Sequence, residues 1–250
     1  MRLITSKRYS DDSRLLLEAA RQQGWDTLRL QSNTVPPEAL GAACCVYAEG
    51  FLAEHLADQL GIHLLRPAND ALARLSRALT ARAITFCTAA EFQPLTRPMF
   101  VKPADQKLFA AAVYRPGEDI PGLETLLPDD PILISEVVHF TREYRFFVRD
   151  STVRTGSIYW HGDRVPMVDV GYEGAGDALW DQAAAFAQAV CAAHPLLPRS
   201  YVLDVGQLDS GVWAVIEFNP VWASGIYGCS PSAVLDCLAV ASTTRPAPGP

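Results

Sequence analysis

The sequence predicts a small parallel α/β lobe at the N-terminus, followed by a larger, mostly antiparallel α+β body. Three observations carry this. Over the first ninety residues, short apolar runs alternate with helical stretches of about ten residues. After Arg97-Pro98, strand-like runs follow one another with little helix between them. The composition, 250 residues with 49% apolar and 20% charged, belongs to a folded chain large enough for a sizeable core.

The elements follow in order. Arg2-Leu3-Ile4-Thr5 reads as a first strand, and Asp11-Asp12-Ser13 as the cap of a helix carrying Leu15, Leu16 and Leu17 that Gly24 ends. Thr27–Leu30 and Ala43–Tyr47 read as strands, Phe51–Leu60 as a helix stopped by Gly61, and Ile62–Leu65 as a fourth strand. Asn69-Asp70 is expected to cap a helix running to Leu79, before a strand at Ala83–Phe86. In the body, strands are expected at Met99–Lys102, Leu108–Tyr114, Ile132–Val138, Glu143–Arg149 and Ser151–Tyr159. A helix over Gly176–Ala193 presents Leu179, Ala183, Phe186, Ala187 and Val190 on one face. Strands at Tyr201–Leu208 and Val212–Phe218 and a short helix near Ser232–Ala241 complete it. The expected organisation is a lobe over residues 1–96, a body over 97–242 and a disordered tail over 243–250.

Composition narrows the function. A net charge of −7 and a pI near 5.2 leave no basic field for nucleic acid or an anionic membrane, so neither is expected as a partner. No apolar run reaches the length of a bilayer span, and the N-terminus turns polar within five residues, unlike a secretory leader. The cysteines at 44, 45, 87, 191, 229 and 237 form no C-x-x-C pair and are expected to be reduced and mostly buried, as in a cytoplasmic protein. The histidines at 55, 63, 139, 161 and 194 are scattered, which argues against zinc.

Three segments carry chemistry. If the turn at Ser210-Gly211 has two residues, the hairpin that it joins pairs Asp204 with Glu217 and Val202 with Asn219. Asp204, Glu217 and Asn219 then share one face. Two carboxylates and a carboxamide are hard oxygen ligands of the kind Mg²⁺ takes beside nucleotide phosphates; the alternative is a solvated sheet face. The second segment is Phe100-Val101-Lys102-Pro103-Ala104-Asp105-Gln106-Lys107. The chain has 18 Arg and only 3 Lys, and two of those lysines flank this one short loop. A strand end and the start of a returning strand would place both ammonium groups on an anionic chain such as a triphosphate, unless they are ordinary surface lysines. In the third segment, Ile132-Leu133-Ile134-Ser135 leads to Glu136, and a connector reaches Glu143 and Arg145, two apart and on one face. Alone these could be a surface ion pair.

Taken in order, V-K-P with a loop, apolar strand–Glu–connector–Glu, and Asp…Glu-x-Asn resemble the ATP-grasp fold of ATP-dependent carboxylate–amine ligases. Ser135-Glu136-Val137-Val138, Glu143-Tyr144-Arg145-Phe146-Phe147-Val148, Tyr201-Val202-Leu203-Asp204-Val205-Gly206, Glu217-Phe218-Asn219 and Trp222–Gly228 are similar to the clade characterised by one arginine and two lysines. The resemblance covers Pro98 to about Gly228, and the N-terminal lobe matches the smaller domain that usually precedes this module. It implies that Lys102 and Lys107 hold phosphates, with Lys107 and Arg145 as catalytic cations and Arg145 offsetting charge on the transferred γ-phosphoryl group. It implies that Glu136 lies at the hinge over adenine, that backbone groups of Val137, Val138 and His139 meet the adenine edge, and that Glu143 binds the ribose hydroxyls. Asp204, Glu217 and Asn219 would bind Mg²⁺. The chain departs from the pattern in three places: Val202 stands where many of these ligases have arginine, Ala104-Asp105-Gln106 has no glycine, and Asn219 is followed by Pro220.

The activity implied is amide formation through an acylphosphate, with release of ADP and phosphate, on an amino acid, peptide or small carboxylate with an amine acceptor. A phosphotransferase that stops at phosphorylation, and an ATP-binding module that acts through partners, are the alternatives. Amide product separates the first, and nucleotide binding without ADP release the second. Arg154, Tyr159 and His161, and Trp222, Ser224 and Tyr227, are candidates for the acceptor side as much as for core or surface positions.

Overall fold

The computed structural model describes residues 1–162, 174, 177–193 and 197–244. The chain divides into two compact units, one made of residues 1–67, 142–205 and 218–250 and the other of 68–141 and 206–217.

The first unit begins with three parallel strands, β1 (Arg2–Thr5), β2 (Asp26–Arg29) and β3 (Cys44–Tyr47), in the order β2-β1-β3. Thr5 lies beside both Arg29 and Tyr47 in the ladders. Helix α1 (Asp11–Gln22) is capped by Ser10, one residue before the expected cap. Ser10 Oγ accepts from the Ser13 amide and Ser13 Oγ from the Ser10 amide, each at 3.1 Å, which satisfies two otherwise orphan donors. Helix α2 (Gly50–Leu60) ends on Gly61 at φ +66°, a left-handed position that glycine occupies without a Cβ penalty. The fourth expected strand, β4 (Ile62–Leu64), lies outside the parallel sheet and pairs antiparallel with β13 (Ser242–Thr244). Its partner is about 180 residues away in the chain, beyond the reach of local pattern, and it draws Thr243 and Thr244 out of the expected disordered tail. Residues 245–250 lie outside the described residues.

In the second unit the expected helix to Leu79 shrinks to one turn, α3 (Arg77–Thr80), which stops where Ala81 turns left-handed at φ +51°. Residues 69–74 are turns instead. The sheet has the order β5-β8-β6-β7, built from β5 (Ile84–Thr88), β6 (Met99–Pro103), β7 (Ala112–Tyr114) and β8 (Pro131–Ser135), every pairing antiparallel. Val101, Phe109, Tyr114, Ile120 and Ile132 form its core. Strand β7 starts later than expected, so Lys107 does not open the returning strand; it is exposed in the loop before it.

Strands β9 (Phe140–Arg149) and β10 (Thr152–His161) join through Asp150-Ser151, both at positive φ (49° and 59°). This is the two-residue turn that suits a right-twisted hairpin, made here without glycine. Asp150 is held there by Arg199, with Nε–Oδ1 at 2.7 Å. Strands β11 (Ser200–Leu208) and β12 (Trp213–Asn219) complete the sheet β10-β9-β11-β12. On β9, alternate side chains serve two cores. Tyr144 and Phe146 meet Trp180 at the start of α4 (Trp180–Ala193), with ring centroids at 6.4 and 5.5 Å. Phe147 joins Leu3, Ile4, Leu16 and Val46 of the N-terminal lobe, together with Val202, Val221, Trp222 and residues of α5 (Pro231–Leu238). The lobe therefore closes its core on side chains from the far end of the chain. Gly176, where the α4 helix was expected to start, lies outside the described residues. Among the described residues no helix is long and apolar enough to cross a membrane.

Candidate functional site

In the second unit, β6 delivers Lys102 and β12 delivers Glu217, and the two side chains form a half-buried ion pair, Nζ to Oε2. The register sets Lys102 beside Leu133 and Phe100 beside Ser135 of β8, so the lysine sits two pairs from the strand end that leads to Glu136. Glu136 does not stand free at the hinge. Its Oε2 accepts from Arg77 Nη2 (2.9 Å) and the Ala83 amide (2.8 Å), and its Oε1 from Arg97 Nη2 (3.1 Å). The Ala83 amide and then Arg97 hold its carboxyl below the ordinary carboxylate range. Val137 is half exposed in the connector that follows. The backbone of Val137 and Val138 makes no hydrogen bond among the described residues. His139 binds Asp209 through Nδ1 (2.9 Å), and its carbonyl accepts from the Asp209 amide (3.3 Å).

Arg82, which the sequence did not single out, is buried beneath this region. Its guanidinium donates to Ser135 Oγ (3.0 Å) and to the carbonyls of Thr80 (2.9 Å), Val215 (2.9 Å) and Ile216 (3.1 Å), and lies 5.4 Å from the Phe140 ring centre. All of these acceptors are neutral, and burial pulls its pKa down to about 10. Arg82 thus ties the end of β8 to the strand that carries Glu217. Nothing in its local sequence marks it, because its partners are contributed by segments up to 134 residues away.

In the first unit, Arg145 projects from β9 beside two aromatic rings, with its guanidinium carbon 5.4 Å from the Tyr159 centre and 5.1 Å from Tyr227. It grips the fully buried Asp204 with two bonds, Nε–Oδ1 at 2.9 Å and Nη2–Oδ2 at 2.7 Å. Its Nη1 donates to the Gly225 carbonyl at 3.1 Å. Burial alone would push the Arg145 pKa down, but the Asp204 charge and hydrogen bonds raise it, so the cation is secure. Asn219 Nδ2 donates to Asp204 Oδ2 at 3.2 Å. Arg145 is thus the cation beside Asp204 in a chain that has valine at 202. Glu143, half-buried, shares the Arg145 face of β9 and pairs with Trp160 across the ladder to β10.

The expected two-residue turn at Ser210-Gly211 is corrected. The Gly211 amide donates to the Leu208 carbonyl (2.8 Å) and the Leu208 amide to Val212 (2.9 Å), with Gly211 at φ +80°. That is a three-residue loop with a glycine bulge. A regular ladder from it would set Asp204 against Ile216 and turn Asn219 to the other face. The Asn219–Asp204 bond puts them on the same face, so the ladder slips by a residue on the way. The two successive carbonyls of Val215 and Ile216, both bound by Arg82, mark such an irregularity, since in a regular strand they point to opposite edges.

Among the described residues no three His, Cys, Asp or Glu side chains cluster to hold a metal ion. A Mg²⁺ would need the mixed set of Asp204, Glu217 and Asn219 completed by phosphate oxygens. The donor chemistry of that set is of the kind Mg²⁺ takes, since all three offer hard oxygens, and each carboxylate faces a cation, Arg145 or Lys102. Of the acceptor-side candidates, Tyr159 and Tyr227 stack on each other at 5.2 Å beside Arg145. Trp222 is core, with Nε1 on the Leu65 carbonyl (2.8 Å), and Ser224 Oγ binds the Pro220 carbonyl (2.7 Å). Arg154 reaches Asp236 at 3.4 Å, and His161 is exposed at the end of β10.

A family model described as ATP-grasp domain, R2K clade family 2, matches residues 79–237, well over half of the chain. Among solved structures, the chain is similar to an N5-carboxyaminoimidazole synthase from Aspergillus clavatus in complex with ADP and 5-aminoimidazole ribonucleotide (TM-score 0.52, 15% identity, 95% of this chain and 76% of that one). It is similar to a RimK domain ATP-grasp protein from Sphaerobacter thermophilus (TM-score 0.51, 13% identity, 95% and 99%). It is also similar to a D-alanine–D-alanine ligase from Bacillus anthracis complexed with ATP (TM-score 0.50, 13% identity, 96% of each chain). At such identities the likeness is one of fold. No curated protein matches the chain.

Proposed function

We propose, from the premise that the chain belongs to the ATP-grasp family, R2K clade family 2, that it is an ATP-dependent carboxylate–amine ligase that forms an amide through an acylphosphate and releases ADP and phosphate. The observation that carries this reading is the pairing of cations with oxygen donors among the residues that the resemblance singles out: Lys102 with Glu217, and Arg145 and Asn219 with Asp204. A carboxylate is a poor electrophile and repels a triphosphate, so the reaction needs positive charge and fixed geometry more than a nucleophilic side chain. Lys102 exchanges its bond to Glu217 for nucleotide phosphate oxygens, and Lys107, exposed on its loop, adds a second ammonium group. Arg145 uses three of its five N–H bonds on Asp204 and Gly225, and the remaining two are available to the oxygens that gather charge during transfer. When bound to Asp204, Glu217 and Asn219, Mg²⁺ offsets phosphate charge. Glu136 holds the connector whose Val137 and Val138 backbone groups meet the adenine edge, and Glu143 takes the ribose hydroxyls. The substrate's carboxylate oxygen attacks the γ-phosphorus, ADP leaves, and an amine then displaces phosphate from the acyl carbon.

The test is ATP turnover with a panel of amino acids, peptides and small carboxylates, with product mass as the second readout. Wild-type protein is expected to release ADP and yield an amide, and Lys102→Ala and Glu217→Gln are each expected to lose about 100-fold or more in turnover while remaining folded. A phosphorylated product without amide, or near-normal turnover in either variant, overturns the reading.

A further inference from the structure

Arg82 is only 6% exposed, yet among the described residues no carboxylate lies within salt-bridge distance of it. A buried cation without a counter-charge is costly to keep, and a residue that only filled space would not carry one. Four of its five N–H bonds go to fixed neutral oxygens instead. Two of the four anchor the guanidinium. Thr80 takes Nη1 on its carbonyl and returns its own hydroxyl to the Arg82 carbonyl (2.7 Å), across Ala81 at φ +51°. Ser135 Oγ takes Nε and donates in turn to the Glu136 carbonyl (2.8 Å), while the Glu136 amide donates to the carbonyl of Ala83 (3.0 Å). The arginine is therefore fixed to the end of β8, in the same unit.

The other two N–H bonds act on β12, through the successive carbonyls of Val215 and Ile216. The Ile216 carbonyl shares its peptide plane with the Glu217 amide, so its bond to Nη2 fixes the plane from which the Glu217 side chain departs. Strand β12 is the outer strand of its sheet, and its free edge has no neighbouring strand to hold it. Side chains alternate between faces, so a slip of one residue there would turn Glu217 away from Lys102.

We infer that Arg82 is a positioning residue for the metal carboxylate: anchored on Thr80 and Ser135, its guanidinium holds the peptide planes of Val215 and Ile216 so that Glu217 keeps the face that meets Lys102. The inference rests on the ligase reading above, in which Glu217 takes Mg²⁺, and adds to it a residue that touches neither nucleotide nor metal. The planar fork is what acts, because one ammonium group cannot reach two successive carbonyls and two anchors at once.

The experiment reads how much Mg²⁺ strengthens the binding of ADP. Calorimetric titration of ADP into the full chain, once with excess Mg²⁺ and once with a chelator, gives that gain as a ratio, from which any change common to both conditions cancels. Arg82→Lys keeps the charge, and Arg82→Gln removes it while keeping two N–H bonds; urea unfolding identifies which of them is folded. In each folded variant the gain is expected to fall about ten- to a hundredfold, with metal-free ADP binding within about twofold of wild type. In a Glu217→Gln background, Arg82→Lys should change the gain by less than about twofold, because the carboxylate it positions is gone. Ser135→Ala, which leaves both β12 bonds in place, should alter the gain by no more than about twofold. A wild-type gain in Arg82→Lys, an equal loss in Ser135→Ala, or a full further loss in the Glu217→Gln background overturns the inference and leaves the ligase reading standing. No gain from Mg²⁺ in the wild-type chain overturns the metal site of that reading, and the inference with it.

Discussion

Asp204 is fully buried, and Arg145 meets both of its oxygens while Asn219 donates to one. Removing one partner of a buried pair leaves the other uncompensated and costs about 3–5 kcal/mol. Arg145→Ala is therefore expected to lower the unfolding free energy by about that amount in a urea titration. Arg145→Lys should recover only part of it, because a single ammonium group cannot reproduce the two-pronged grip. A variant as stable as wild type would show that Asp204 is neutral in the fold. The buried thiols make a second prediction. Burial pushes Cys45 and Cys237 up to about 12 from an ordinary 9.0. The folded chain holds both protons after the unfolded chain has lost them, so their contribution is complete below pH 9 and drains away as pH rises from about 9 to about 12. Denaturation at pH 8 and at pH 10 should show lower stability at pH 10, by up to about 1.4 kcal/mol per pH unit for each thiol. The slope should shrink in Cys45→Ala, and an unchanged slope would contradict the assignment. At this scale, residue type and strand position single out Lys102, Arg145, Asp204, Glu217 and Asn219 in the sequence, and the structure pairs Lys102 with Glu217 and Arg145 and Asn219 with Asp204, contacts that the expected two-residue turn did not foretell. Arg82 was not legible, because what distinguishes it is its surroundings: it meets Ile216 across 134 positions.

Among the elements, the strands and main helices followed from alternation and caps, while the deviations came from turns and distant pairing. The β11–β12 turn has three residues because the chain spends Gly211 on a left-handed bulge, and Ser210-Gly211 is compatible with either loop length. Strand β4 was legible as a strand but not as a partner of β13. The β10 strand offers the sharpest test of packing. A methyl group on Gly156 would stand 2.4 Å from the Phe146 ring and 2.9 Å from the Arg145 carbonyl, within the ladder that aims Arg145. Gly156→Ala should therefore cost about 1–3 kcal/mol, read by thermal or urea unfolding. A neutral outcome would mean that β9 and β10 are farther apart than described.

For the whole molecule, composition and the order of elements were enough to read the fold class and the resemblance to the family. They could not reveal that residues 1–67 share a core with residues 142–205 and 218–250, because hydrophobic pattern marks a buried face and not what covers it. Phe147 and Trp222 are buried against Leu3 and Ile4 of the first strand, so the N-terminal lobe and the strand that carries Arg145 belong to one packed body. The same body supplies Asp204 and Asn219, and the second unit supplies Lys102 and Glu217. In the proposed ligase, Lys102 and Glu217 hold the nucleotide and its Mg²⁺. Calorimetric titration of a non-hydrolysable ATP analogue with Mg²⁺ into wild type, Lys102→Ala and Glu217→Gln tests that claim most directly. Saturable binding by the wild-type chain, weakened at least about tenfold in each variant, is the predicted result; no binding, or one affinity shared by all three proteins, would contradict it.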